Sequence, residues 1–331
     1  MKKWILSIVF LLSVLGKGLC GQYHFVTLST VKARPLAMGG AFVSIKDNLA
    51  SLDFNPAAFS LSSLPEKVHF SVFFNPLGVF MVAGNWGGAS GWKGPWEWLI
   101  RGATLSVGRL NFGVLCGEEA LSDKERLERT CIFDGAGYEG QKNTSFGFSL
   151  VLAPKVSLGM AGEVFTRQEN NDKKRKLGYR YGILLKPRND LNVGLCFVDF
   201  PKAYDTDRMT LERLSDETLN IGVSYTPWKA LTLALDIRNV SDEGKGAVRE
   251  PHMGVEVLPY RHVSLRGGYY RQKGGESETL SVGIGLFDWN SVLPKGLRLS
   301  YATFGLNMAL LWQREKDVER RWFFLSLVLR I

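Results

Sequence analysis

A hydrolase needs an imidazole beside a Ser or Thr nucleophile. The histidines of this chain are His24, His69, His252 and His262, and none stands in a recognisable nucleophile motif. His252 is the best placed for proton chemistry, because in an extended strand it shares a face with Glu256. A simpler role for such a pair is a hydrogen-bond network lining an interior. The Gly-rich stretch 84–91 lacks the strand, lysine and helix of a phosphate-binding loop. Cys116, Cys131 and Cys196 remain once a leader is removed, and their spacing matches no metal site. Cys116 and Cys131 fall at a strand end and in the loop after it, which leaves a loop disulfide open. Cys196 alternates with apolar neighbours, as a wall residue does. These residues predict a non-enzyme with no metal and no cofactor.

The elements that must carry these residues are short and periodic. From about residue 144 onward, roughly ten residues of strict alternation are followed by a turn, again and again. In one such stretch Leu280, Val282, Ile284 and Leu286 share one face, and Thr279, Ser281, Gly283 and Gly285 share the other. The segments are 98–107, 110–118, 144–152, 156–166, 177–186, 190–199, 217–226, 230–239, 250–258, 262–271, 278–286, 297–306 and 321–330. A first segment, 68–86, counts as one long strand kinked at Pro76, where the ladder loses a donor.

Connections alternate between short and long. Short ones sit at Gly108-Arg109 and around Pro154, Pro187, Pro227 and Pro259; long ones span 119–143, 167–176, 200–216 and 240–249. Tight turns on one side and long loops on the other are the mark of an outer-membrane barrel, here of about fourteen antiparallel strands. The fold class is therefore all-β, a transmembrane barrel preceded by an N-terminal hatch. Glu163, Arg180, Asp236, Arg238, Glu256, Arg266 and Arg298 lie on the face opposite their strands' apolar residues. Arg or Lys facing lipid near the midplane costs roughly 2–4 kcal/mol, so these charges, with His252, are predicted to line the lumen. Both signs are present, which describes a filled or narrow interior better than an open pore.

The N-terminus is organised differently. Met1-Lys2-Lys3 followed by an apolar run over 4–15 reads as a secretory signal, with Gly18 and Cys20 as small residues before a cut at Gly21. Lipidation of Cys20 fits less well, because Lys17 and Leu19 sit where a lipoprotein motif wants other residues. The organisation is a signal peptide over 1–20, a hatch over 21–66 and a barrel over 67–331. Stretch 22–66 has no sustained alternation and holds Pro35, Gly39, Gly40, Pro56 and Pro65. The net charge of +9 does not indicate nucleic acid, because no interleaved aromatic and basic motif accompanies it. The cluster Lys173-Lys174-Arg175-Lys176 is either a solvated loop or a contact for lipopolysaccharide phosphates.

Ala33-Arg34-Pro35-Leu36-Ala37-Met38-Gly39-Gly40-Ala41, then Asp47-Asn48, then Asn55-Pro56-Ala57 resembles the N-terminal signature of the FadL-like superfamily, and especially its PorV/PorQ branch. His252, Gly254 and Glu256, followed by Leu265-Arg266-Gly267-Gly268-Tyr269, are similar to later elements of that branch. Asn48 stands where the family carries a second Asp, and Ile331 stands where an aromatic is usual for the barrel-assembly machinery. The resemblance implies a fourteen-stranded outer-membrane barrel of a Gram-negative envelope, surrounded by lipid and lipopolysaccharide. It makes Met38, Gly39, Gly40, Asp47, Asn48, Asn55 and Pro56 the hatch or gate candidates, either fixing the hatch or moving with it. Three functions follow from it. One is a passive channel for hydrophobic or amphipathic small molecules, received by Trp92, Trp96 and Trp98. Another is a PorV-like component of type IX secretion that binds exported proteins. The last is a structural outer-membrane protein.

Overall fold

Alternating side chains let each segment pair edge to edge while turning one face out and the other in. The computed structural model describes residues 23–28, 31–47, 49–59, 68–75, 99–116, 142–169, 172–199, 217–240, 249–260, 262–272, 277–287, 303–315 and 318–330. First come β1 (Tyr23–Leu28), α1 (Ala33–Ala37), α2 (Ser51–Phe54) and a 3-10 turn, Pro56–Ala58. The wall strands are β2 (His69–Phe74), β3 (Ile100–Val107), β4 (Leu110–Cys116), β5 (Lys142–Ala153), β6 (Val156–Glu169), β7 (Asp172–Arg188) and β8 (Leu191–Asp199). They continue as β9 (Glu217–Trp228), β10 (Leu231–Arg238), β11 (Glu250–Tyr260), β12 (Val263–Gln272), β13 (Ser277–Phe287), β14 (Thr303–Glu315) and β15 (Val318–Arg330). Each of β2 to β15 pairs antiparallel with its sequence neighbour, and β15 returns to β2, so fourteen strands make a nearly closed barrel.

The faces are inverted relative to a water-soluble protein. On β10, Leu235 is 46% exposed while Asp236 is 0% exposed. Phe112, Phe148, Ile183, Val223, Leu265 and Leu280 extend the apolar outer face around the barrel, and Ser149, Ser224, Thr279 and Ser281 are buried on the inner one. A continuous apolar belt of this kind is a surface for lipid, not for water. No helix among the described residues is long and apolar enough to cross a membrane.

The seam departs from a simple closure. Among the described residues β2 meets β15 through two residue pairs, Leu329 with Phe74 and Arg330 with Phe73. β1 runs parallel to β15 along the same sheet, from Tyr23 opposite Arg320 to Leu28 opposite Leu325. The start of the stretch expected as a hatch, 21–66, is thus a strand paired with β15 outside the fourteen-strand ladder. The continuation 76–86 expected for the first strand lies outside the described residues.

Three further boundaries differ from the sequence pattern. β14 covers Thr303–Glu315 where 297–306 was expected; residues 297–302, including Arg298, lie outside the described residues. Its alternation is hidden because the inward residues Ala309 and Leu311 are apolar too, packed on α1. β6 and β7 run on to Glu169 and Asp172, which are paired, so Lys173 to Lys176 belong to a strand and not to a loop. Cys116 is half-buried and free, while Cys131 lies outside the described residues, as do the signal segment and Trp92, Trp96 and Trp98.

Candidate functional site

Residues 31–59 do not thread past the barrel; they are packed against its inner face. Pro35 sits in the first turn of α1, where no backbone donor is needed. Gly39 and Gly40, at φ +62° and +71°, then reverse the chain in the left-handed region that glycine tolerates. Asn55 opens the 3-10 turn by accepting from the Ala57 N–H at 3.0 Å, with Pro56 as its first residue. Leu36, Met38, Ala41, Phe42, Leu49, Leu52 and Phe59 are all buried.

One side of the segment is held by apolar packing. Ala33, Leu36 and Ala37 meet Ala309, Leu311, Trp322 and Phe324 of β14 and β15. Leu49, Leu52 and Phe59 meet Phe73, Leu115 and Ala161. Elsewhere glycines on both sides allow close approach: a Cβ on wall Gly254 would lie 2.5 Å from the Met38 carbonyl, and one on segment Gly39 would lie 2.6 Å from the Met253 carbonyl and the Tyr269 amide.

The remaining contacts are polar, and they use the inward charges. Asp236 accepts from the Phe42 and Val43 amides at 2.6 and 2.9 Å through a single oxygen. The neighbouring Arg238 donates to the Gly40 carbonyl, and its guanidinium lies 5.1 Å over the Phe54 ring. His252 Nδ1 stands 2.6 Å from the Gly39 carbonyl. A carbonyl only accepts, so Nδ1 carries the proton. The imidazole stacks on Tyr270 and has Glu250 3.7 Å from Nε2. Glu256 does not pair with His252 but with two arginines. It accepts from Arg34 Nε at 3.0 Å, Arg34 Nη2 at 2.6 Å and Arg266 Nε at 2.7 Å. Arg34 also binds Asp47 at 2.9 Å. Desolvation alone would lower the Arg34 pKa, but Asp47 and then Glu256 more than offset it, and the net shift is upward. Arg34 is a permanent cation joining the segment to the wall.

Glu163 and Arg180 form a separate buried pair at 2.6 Å. Nearby, Ser145 donates to Asp53 at 3.0 Å. Asn55 Nδ2 donates to the Val43 carbonyl at 2.8 Å and to the Ile183 carbonyl at 3.2 Å, tying the segment to itself and to β7. Of the candidates named from sequence, Asn48 and Arg298 lie outside the described residues; Met38, Gly39, Gly40, Asn55 and Pro56 meet the wall, whereas Asp47 binds Arg34 and bridges Phe59 within the segment itself. Sequence reasoning did not single out Arg34, Ser149, Ser224 or Ser281 as site residues. The three serines bond the segment's backbone: Ser149 donates to the Phe59 carbonyl, Ser224 to the Ser44 carbonyl and Ser281 to the Ala37 carbonyl. Their signal was inward parity on the strands; Arg34 was visible as a cation among small and apolar residues. The arrangement fastens an aperiodic segment to the inner face of a barrel through hydrogen bonds, ion pairs and apolar packing.

No protein-family model and no curated protein matches the chain. Similar solved structures include toluene transporters, a FadL homologue and a porin. The Ralstonia pickettii toluene transporter TbuX is 13% identical over 92% of this chain and 97% of that one, with a TM-score of 0.49. The Pseudomonas putida toluene transporter TodX is 11% identical over 94% and 98%, with a TM-score of 0.49. A Pseudomonas aeruginosa FadL homologue is 10% identical over 92% and 96%, with a TM-score of 0.48.

Proposed function

We propose that the chain is an outer-membrane barrel that passes hydrophobic or amphipathic small molecules passively, with residues 31–59 as its hatch. One observation supports this reading: a segment outside the antiparallel ladder is packed against the inner face of the wall and held there by side-chain bonds and apolar contacts, not by ladder bonds. The short-turn end faces the periplasm and the long connections face outward, as in other barrels of this type. Outer-membrane lipid and lipopolysaccharide cover the belt, and the barrel-assembly machinery inserts it. In the closed state Asp236, Arg238, Glu256 and Arg266 are neutralised by the hatch and by one another. A ligand that loosens the hatch reaches the apolar cluster of Leu49, Leu52, Phe59 and Phe73, directly behind the short β2–β15 pairing.

The extent of the fastening favours a second reading. A hatch held by Arg34, Asp236, Arg238, His252 and Ser281 also suits a rigid barrel that docks exported proteins in the manner of PorV. Uptake of a fluorescent apolar dye by cells with and without the protein separates the two. Faster uptake with the protein supports transport; equal uptake, with an exported protein retained at the surface, supports docking.

A further inference from the structure

Basic residues crowd the short-turn end of the barrel, and three of them converge. Lys155 follows Pro154 in the β5–β6 turn, Lys186 lies on the inward face near the end of β7, and Lys46 belongs to the N-terminal segment. Together they line a cavity of about 20 Å3 at the mouth of the barrel, with Ser157 and Ala57 beside them. The carboxylates nearest in sequence are committed elsewhere: Asp47 binds Arg34 and Asp190 binds Arg188. Among the described residues none of the three ammonium groups has a carboxylate partner; Lys155 Nζ makes one long bond, 3.4 Å, to the Pro187 carbonyl. Desolvation, and then the Lys186 charge, lowers the Lys46 pKa below its ordinary value. Like charges therefore face each other across the junction between segment and wall, and no carboxylate among the described residues neutralises them.

We propose that this mouth binds one small soluble oxyanion, a phosphate or carboxylate group, which bridges Lys46 to Lys155 and Lys186. The cavity has room for about one or two water-sized groups, so an oxyanion seats one or two of its oxygens there and meets the exposed Lys46 and Lys155 heads at the open side, with no space for a longer chain. Three lysines act as point charges around it, with more N–H donors than the protein itself uses. The cavity opens inside the wall: Lys186 and Ser157 are on inward faces, while Leu158 and Ile183 face outward. A lipid headgroup would have to leave the bilayer to reach it, whereas a soluble anion enters directly. Bound there, the anion ties the segment to β5, β6 and β7. Its consequence for gating rests on the hatch reading, but binding itself does not.

The test uses the full chain in a zwitterionic detergent at neutral pH. The midpoint of heat modification is followed with inorganic phosphate against chloride at matched ionic strength. The expected result is a phosphate-specific rise of about 2 °C or more, lost in the double variant Lys46→Met, Lys186→Met, whose unbranched side chains keep the packing of the lysine stems. Should the double variant fail to fold, Lys46→Gln alone is titrated by phosphorus NMR, with at least a tenfold loss of affinity expected. No phosphate-specific rise in the wild type, or an equal rise in the variant, overturns the site. A rise produced by phosphatidylglycerol nanodiscs without phosphate, and lost in the double variant, overturns the soluble-anion assignment in favour of a headgroup. None of these readings depends on transport.

Discussion

Replacing Glu256 by Gln removes one negative charge from between two cations. The carboxylate accepts three bonds, two from Arg34 and one from Arg266, and charge-assisted bonds contribute roughly 1.5–3 kcal/mol each. Gln keeps one acceptor oxygen and leaves Arg34 to Asp47, and Arg266 to Asn307 at 2.8 Å. Breaking a buried ion pair costs about 3–5 kcal/mol. The Arg34 side chain is 23% exposed, so solvent recovers part of that and about 3 kcal/mol is expected. At about 1.4 kcal/mol per decade, the balance between fastened and loosened segment shifts by about a hundredfold. The backbone of Glu256 stays in its ladder opposite Arg266 and Thr232, so the barrel itself should keep its heat-modified migration. Planar-bilayer conductance should rise, with long open events in place of brief ones. A double-mutant cycle with Arg34→Met should return a coupling of about 1–3 kcal/mol. An unchanged conductance together with a weakened barrel would refute the reasoning, because the network would then hold the wall and not the segment.

Gly39→Val combines a positive φ with a collision against the β11 and β12 backbone, so it should loosen the segment more than Gly40→Val, whose Cβ first meets His252 Nδ1 at 3.0 Å; limited proteolysis of the N-terminus ranks the two. Asp236→Asn should reduce the segment's protection from hydrogen exchange at Phe42 and Val43, at a cost of about 1–3 kcal/mol, while Asp199→Asn near the rim should not. Leu235→Arg places a charge on the belt and should destabilise insertion into vesicles by roughly 2–4 kcal/mol if it lies near the midplane; a neutral result in urea unfolding contradicts the face assignment. An epitope inserted after Asp205 should be reached from outside intact cells and one at Lys229 should not, and the reverse pattern inverts the topology.

The wall was legible because a period of two survives wherever one face meets lipid and the other meets polar groups. Thr279 to Leu286 is such a stretch, and its strand lies within one or two residues of the expected bounds. Legibility fails where both faces are apolar. Ala309 and Leu311 look inward onto α1, so the end of β14 carries no alternation and reads as a loop. β1 was hidden for another reason: its partner is almost three hundred residues away, and nothing in Tyr23 to Leu28 announces a parallel neighbour. Inward charges such as Asp236 and Arg266 could be placed on a face from parity alone. Their partners could not, because residues 31–59 are aperiodic and their path is set by the closed wall. Parity suggested that Glu256 would join His252, yet both arginines outcompete an imidazole that already donates to Gly39.

Deleting residues 34–60 and recording ion conductance in planar bilayers tests the central proposal most directly. The fourteen-strand ladder lies outside the deletion, so the barrel should still assemble and show heat-modified migration. With its charged inner face open to water, the truncated barrel should conduct ions well above the full chain. An assembled truncated barrel that conducts no better than the full chain would contradict the hatch, and with it the gated channel.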